Sequence, residues 1–351
     1  MEKRTMTLEL MEQAVYGGAI LGGGGGGWIH DGLQKGKLAL EIGEINLITV
    51  DQLEDADYVA CVSLVGAPAA KSQYINAKQL YSTVELLQKN FHSPVKALMT
   101  NENGAATTVN GWIQAALTGL PVIDAPCNGR AHPTASMGSM NLSEMDGYLS
   151  YQAAAGGRDS YEISGFVSGT IQYTSNIIRQ MSVEAGGLVG VARNPVQIGY
   201  IKENAAVGGI NQAIALGEVF LNEKDPLHKI EAVATKLQGR VIKVGKTRDY
   251  SISTKGGFDV GKLYVDDLEL TFWNEYMTAE ENGDRKGTFP DLLMTFDTET
   301  GLPIVSAEME NGRNIAVMSV PKERLLLSST MSNKVLLKTV ESIINKQIVF
   351  N

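Results

Sequence analysis

Six consecutive glycines at 22–27 constrain this chain more than any other segment. With no Cβ atoms, such a run loses too much backbone freedom on ordering to sit inside a helix or strand, so it must be a loop. Thr7 can cap a helix that leads towards it and ends near Tyr16. Glu9 lies in the favoured first turn, and Leu8, Met11 and Val15 share one face. The run matches GxGxxG only because every position is glycine. It follows a helix rather than a strand and lacks the Lys-Ser/Thr of a P-loop, so a dinucleotide fingerprint is not indicated. Two readings remain. One is a flexible connection. The other is a backbone nest in which Gly24, Gly25, Gly26 and Gly27 offer N–H groups to a carboxylate, a ring oxygen or a developing anion. Trp28 directly after the run favours the nest.

The chain around this loop is long enough for two domains: it has 351 residues against about 150 per domain. Apolar residues are 44% and charged residues 20%, so there is ample side chain to bury and disorder is excluded for most of the chain. Glycine totals 38 with no repeat period, which excludes collagen. The net charge is -9, which excludes a long nucleic-acid groove. No segment reaches the roughly 18 apolar residues of a membrane span. Residues 1–21 lack the apolar core of a signal peptide. The two cysteines, Cys61 and Cys127, cannot form a disulfide framework. A cytoplasmic location is the expectation, with thiols reduced and free for chemistry.

Residues 45–50, 58–65, 95–100 and 120–125 read as strands. Leu80, Val84, Leu87 and Phe91 recur at helical spacing between two of them. Thr107 is placed to cap another helix carrying Val109, Trp112, Ile113, Ala116 and Leu117 on one face and stopped by Gly119. This alternation predicts an α/β domain with a mostly parallel sheet covered on both faces, ending within 148–165. The rest reads differently. Helices are expected at 205–221, 227–237 and 335–345. Short strands are expected at 241–244, 263–265, 268–273, 292–296, 304–305 and 315–320. Turn signals stand at 255–257, 281–284, 299–301 and 310–312. That spacing predicts an antiparallel sheet or small barrel. The division adopted is 1–165, an α/β substrate and catalytic domain, and 166–351, a β-rich barrel-like domain with flanking helices.

Ligands of an open α/β sheet bind beyond the carboxyl ends of its strands. Three loops leave such ends, at 66–68, 101–104 and 126–133. The third brings Asp124, Cys127, Asn128, Arg130 and His132 within nine residues, in a chain with four histidines. Arg130 or His132 could lower the Cys127 pKa from its usual value of about 8.5 and so create a thiolate nucleophile. His132 could serve as general base or acid. Asp124 could orient the imidazole or bind a substrate nitrogen. The plainer alternative is a turn with Gly129 at positive φ, Arg130 paired to a carboxylate and Cys127 buried. Cys61 reads as core. Cys127, His132 and Asp124 could also bind zinc, with Glu102 completing the set, although no CxxC or HExxH pair supports it. Asn274-Glu275 follows the aromatic strand LTFW, and Pro290-Asp291 opens another; both could reach over the first-domain site. Arg240, Lys243, Lys246 and Arg248 read as a solvated strand face.

Several segments together resemble the S-methyl thiohydantoin desulfurase-like family, long known as a domain of unknown function and associated with hydantoinases. They are GGAILGGGGGGW at 17–28, VGAP at 65–68, TNENGAATTVNGW at 100–112 and GLPVIDAPCNGRAHP at 119–133, then NEY at 274–276 and PDLLMTFDTETGLPI at 290–304. The resemblance implies an N-terminal α/β three-layer domain and a C-terminal β-rich, barrel-like domain. It also implies attack on C2 of a thiohydantoin ring, releasing sulfide or methanethiol and leaving a hydantoin, in the breakdown of ergothioneine-type thioimidazoles. The chain departs from the commonest pattern, a second Asp and Gly-Met before the Gly-Arg and a Phe after it, by carrying Pro126, Cys127, Asn128 and His132 there.

The expected activity is therefore a hydrolase-type desulfurase without a cofactor. Cys127 attacks C2, His132 activates water, and Arg130 stabilises the thiolate or a substrate carboxylate. Asp124, Glu102, Asn103 and Asn128 contact the ring, and the glycine loop closes over it. Two other readings stay open: a metal-dependent hydrolase using Cys127, His132 and Asp124, and a non-catalytic accessory subunit of a hydantoinase. The expected partner is a small heterocyclic substrate, with no nucleic acid and no membrane; a homo-oligomer is compatible with such a chain.

Overall fold

The computed structural model describes residues 3–66, 72–255 and 258–350. Its first half contains β1 (Arg4–Thr5), α1 (Leu8–Leu21), α2 (Ile29–Ile42), β2 (Asn46–Ile48), β3 (Tyr58–Gly66), α3 (Ala77–Asn90), β4 (Val95–Thr100), α4 (Trp112–Thr118) and β5 (Val122–Ile123). There follow β6 (Ser150–Gly156), β7 (Ile163–Gly169), α5 (Ile171–Glu184) and β8 (Leu188–Gln197). These strands form one sheet in the order β1-β2-β5-β4-β3-β8-β6-β7. Only β2, β5, β4 and β3 run parallel to one another. β1 pairs antiparallel at one edge, and β8, β6 and β7 extend the other edge antiparallel. The sheet is thus mixed, not mostly parallel. After β5 the chain stops making crossovers and adds a hairpin and a return strand instead.

Strand alternation divides the core between the two faces of this sheet. Ala60, Val62 and Leu98 pack with Val15 of α1, Val84 and Leu87 of α3, and Trp112 of α4. Val59, Cys61, Ala97 and Met99 face the opposite way, with Cys127, Ile171 and Ile198.

The second half continues with α6 (Ile198–Asn204), α7 (Gly209–Asn222), α8 (Pro226–Lys236), β9 (Arg240–Lys255), β10 (Phe258–Val265), β11 (Leu268–Trp273), β12 (Glu275–Glu281) and β13 (Asp284–Thr288). It ends with β14 (Leu292–Asp297), β15 (Pro303–Ile304), β16 (Asn314–Val320) and α9 (Lys334–Ile344). The second sheet is antiparallel throughout, in the order β13-β12-β11-β10-β9-β16-β14-β15. β13 and β15 stand at its two ends, so the pairing among the described residues does not close a barrel. The fold is α+β overall. No helix among the described residues is long and apolar enough to cross a membrane.

Local departures from the sequence reading have identifiable causes. α1 does not stop at Tyr16 but runs through Gly17 and Gly18 to Leu21. A Cβ on Gly17 would lie 1.8 Å from the Ala213 carbonyl oxygen of α7, and one on Gly217 would lie 1.8 Å from that of Gln13. The glycines are there for helix contact, which outweighs their poor propensity. α2 is hidden in the sequence, because Gly32 and Gly36 interrupt its pattern; a Cβ on Gly32 would lie 2.2 Å from the Ala105 carbonyl oxygen. The helix expected from Thr107 begins only at Trp112, after Gly111 at φ 90°. The turn at 281–284 is present, with Asn282 and Gly283 both at positive φ, as a tight two-residue hairpin requires. The charged residues around it conceal β12 and β13. Residues 67–68 and 256–257 of two expected turns lie outside the described residues.

Candidate functional site

A cleft of about 730 Å³ opens where the two sheets meet. The glycine loop forms one wall, and its carbonyls tie it to both halves of the chain. Gly26 accepts from the Ala106 N–H at 2.9 Å, while Gly23 accepts from Tyr276 and Gly24 from Ser306, each at 2.8 Å. Gly23, Gly24, Gly26 and Gly27 all have positive φ. The backbone N–H groups of Gly24, Gly26 and Gly27 have no hydrogen-bond partner among the described residues, and Gly24 to Gly27 all line the cleft. This is the donor arrangement of a nest. A side chain there would also displace its neighbours. A Cβ on Gly25 would lie 2.0 Å from Glu275 Oε1, and one on Gly23 would lie 2.6 Å from Arg130 Nη2.

The loops after β4 and β5 converge, as the adjacency of those parallel strands requires. Glu102 comes from the first and His132 from the second. Both line the cleft and both are largely buried. The His132 backbone N–H donates to Glu102 Oε2 at 3.2 Å, and His132 Nε2 lies 3.2 Å from the same oxygen. The ring nitrogens have no aligned hydrogen-bond partner among the described residues. Gly138 leaves room for the ring, since a Cβ there would lie 2.5 Å from His132 Cε1. Burial pulls the His132 pKa down to about 4, against the opposing influence of the Asn101 and Thr134 backbone and with the charges of Arg193 and Arg130 acting alongside it. Burial pushes Glu102 up to about 8, against the opposing influence of the His132 backbone and Arg193. Near neutral pH the contact therefore joins a neutral imidazole to a carboxylic acid, not two ions.

Two asparagines and an arginine outside the sequence-derived candidates also line the cleft. Asn110 Nδ2 donates to Asn101 Oδ1 at 3.0 Å, and the Asn101 amide N–H groups and the Asn110 side-chain carbonyl have no other side-chain hydrogen bond among the described residues. Arg193 is 6% exposed and belongs to β8, in register with Cys61 of β3. A single arginine inside the otherwise apolar run LVGVAR is the signal that could have found it.

The remaining candidates from the 119–133 segment have other partners. Asp124 Oδ1 accepts from the N–H groups of Ile210 at 2.7 Å and Asn211 at 3.1 Å, in the first turn of α7. Asn103 Nδ2 donates to the Gly209 carbonyl at 2.8 Å. Asn128 Oδ1 accepts from Ser328 N–H at 3.2 Å. These three fasten loops and do not line the cleft. Arg130 is fully buried behind the glycine loop. It donates through Nη1 to the Pro290 and Asp291 carbonyls and lies 4.7 Å from the Phe289 ring centroid. Cys127 is 1% exposed in the apolar core that also holds Cys61, away from the cleft wall. The neighbouring Cys61 thiol and burial push its pKa well up, which is unfavourable for a thiolate. Cys127, His132 and Asp124 are not brought together, and no group of three or more His, Cys, Asp or Glu among the described residues is placed to hold a metal ion.

Comparison with known families matches the S-Me-THD-like N-terminal domain to residues 9–165 and the S-Me-THD-like C-terminal domain to residues 170–333. The chain belongs to the S-Me-THD-like family. Comparison with curated proteins finds no match. Among solved structures, the chain is similar to a protein from Chromobacterium violaceum determined by X-ray crystallography. That likeness covers 97% of this chain and 96% of the other, with a TM-score of 0.70 and 17% identity. At that identity it speaks to the fold alone. In this S-Me-THD-like chain, each of the two matched regions supplies part of the cleft: Glu102 and His132 from the first, Arg193 and Glu275 from the second.

Proposed function

We propose that the cleft binds a thiohydantoin or S-methyl thiohydantoin ring and hydrolyses it at C2, with water and not Cys127 as the nucleophile. The family supports the ring class. The observation that carries the chemistry is the His132–Glu102 pair on the cleft wall, whose surroundings displace the two pKa values in opposite directions. Such a displacement supplies a free base and a proton-loaded acid at the same pH.

Neutral His132 takes a proton from water as its oxygen bonds to C2. The C2 double-bond pair moves to sulfur in a thiohydantoin or to the ring nitrogen in its S-methyl form; that atom receives the hydroxyl proton as the tetrahedral centre collapses to the carbonyl, the C2–S bond breaks, and sulfur leaves with the proton of Glu102. His132 passes its proton across the 3.2 Å gap to Glu102, restoring the pair. Arg193 offsets developing negative charge. The amide groups of Asn101 and Asn110 offer one donor and one acceptor edge, matching a ring that alternates N–H and carbonyl groups. Asp124, Asn103 and Asn128 act as scaffold.

The test is incubation of the purified protein with a thiohydantoin and its S-methyl form, following loss of ring absorbance and release of thiol. His132→Gln should slow turnover by about 100-fold or more. Absence of thiol release from both compounds, or an undiminished His132→Gln, would refute this reading.

A further inference from the structure

Attack of water on the C2=N bond of an S-methyl thiohydantoin places an electron pair on the ring nitrogen, which then needs a proton of its own. His132 and Glu102 are already committed to water and sulfur. On the C-terminal sheet stands another carboxyl group that lines the cleft. Glu275 is 2% exposed, lines the cleft, and has an Oε2 without a hydrogen-bond partner among the described residues. A buried polar atom left unpaired in this way costs stability and calls for an explanation.

The backbone on either side of Glu275 is unusually well fixed. Asn274 adopts φ 57°, turning the chain between β11 and β12. Its N–H donates to the Asp259 carbonyl at 2.7 Å, and its side chain accepts from the Asp259 N–H at 2.9 Å. Ser306 Oγ donates to its carbonyl. On the other side, Tyr276 N–H donates to Gly23 at 2.8 Å. Gly25 leaves the volume that the carboxyl occupies, since its Cβ would collide with Oε1. Glu275 thus lies against the glycine loop and lines the same cleft. The charged groups that act on it are Glu102 and, behind the loop, Arg130. Burial, reinforced by Glu102, holds its pKa well above the usual carboxylate range, with Arg130 opposing.

We infer that Glu275 is a second catalytic acid, contributed by the C-terminal domain, which protonates the ring nitrogen of the substrate. This inference rests on the hydrolytic reading above. As the water oxygen bonds to C2, the C2=N electron pair moves to nitrogen and takes the Glu275 proton, while the water proton goes to His132. On collapse the hydroxyl proton returns to Glu275, the C=O bond forms and the C2–S bond breaks. Sulfur takes the proton of Glu102, which His132 replaces. One water is consumed, one hydantoin and one thiol are released, and all three side chains regain their starting protonation.

The experiment compares wild type, Glu275→Gln and Glu275→Asp on S-methyl thiohydantoin, with thermal melts and hydantoin binding as checks on folding. Glutamine mimics the shape of the neutral acid but cannot give up a proton. The expected result is a Glu275→Gln kcat lowered by about 100-fold or more, a KM close to that of wild type, and partial recovery in Glu275→Asp. The pH profile adds a readout that a structural role would not move: the wild-type rate should fall at alkaline pH through two ionisations, and the residual Glu275→Gln rate through one. Glu275→Gln turning over at the wild-type rate would overturn this inference and leave the hydrolytic reading standing. An unchanged number of alkaline ionisations would also overturn it. A wild type that releases no thiol overturns both.

Discussion

His132 Nε2 and Glu102 Oε2 lie 3.2 Å apart, with side chains only 4% and 8% exposed, on loops that leave two neighbouring parallel strands. Burial disfavours the charged form of each, so the proton rests on the carboxyl. The rate of thiol release should accordingly be greatest between about pH 4, below which His132 is protonated, and about pH 8, above which Glu102 is ionised. A kcat/KM profile checks this. A simple rise through a single pKa near that of free histidine would refute the pairing.

The same contact affects stability. Glu102 has a raised pKa in the folded chain, so between its unfolded value and about pH 8 the folded state holds a proton that the unfolded state has lost. Stability falls with rising pH across that window, by up to about 1.4 kcal/mol per pH unit from this group. Glu102→Gln should remove that slope and melt above wild type near pH 8, while losing activity. Melting curves at pH 5 and pH 8 decide it; equal slopes in the two proteins would contradict the argument.

Cys127→Ala should retain turnover within a few-fold of wild type, because the thiol is packed in the core and does not reach the cleft. The substitution should still destabilise the fold by about 1–2 kcal/mol through the lost packing. Thiol release and a denaturant midpoint measure the two effects separately. Complete loss of turnover in a folded variant would restore the cysteine nucleophile.

Gly25→Ala should affect both activity and stability. The new methyl would meet Glu275 Oε1 at 2.0 Å, so either the loop or the carboxyl must move. Activity should drop by at least 10-fold, at a stability cost of about 1–3 kcal/mol. Gly119→Ala provides the comparison: it has open space but φ 74°, so it should be strained without touching the cleft.

Asp124→Ala should weaken the fold by about 1–2 kcal/mol through loss of a helix cap, with kcat unchanged in the remaining folded protein. Its carboxylate serves the first turn of α7 rather than a substrate. A fall in kcat at full folding would return Asp124 to the site.

Much of this site could be read along the chain. The glycine run had to be a loop, because no regular element accommodates six residues without Cβ atoms. The strands at 58–65 and 95–100 were visible in their apolar runs, and β4 begins and ends where expected. Glu102 and His132 were recognisable as candidates because both follow strands whose carboxyl ends converge in such sheets. The family, too, was legible in the order of its segments.

Other features depend on contacts between distant segments. Whether Gly17 breaks a helix or allows two helices to touch depends on Ala213, far along the chain. The contact of Asp124 with the first turn of α7, and the packing of Cys127 in the core on one face of the first sheet, likewise join distant segments. Arg193 and Glu275 join the cleft only because β8 returns antiparallel to β3 and the second sheet closes over the glycine loop. Local sequence determines the conformations open to the backbone and the chemistry each side chain carries. Tertiary packing decides which of those side chains lose water, and that loss moves the proton from His132 to Glu102.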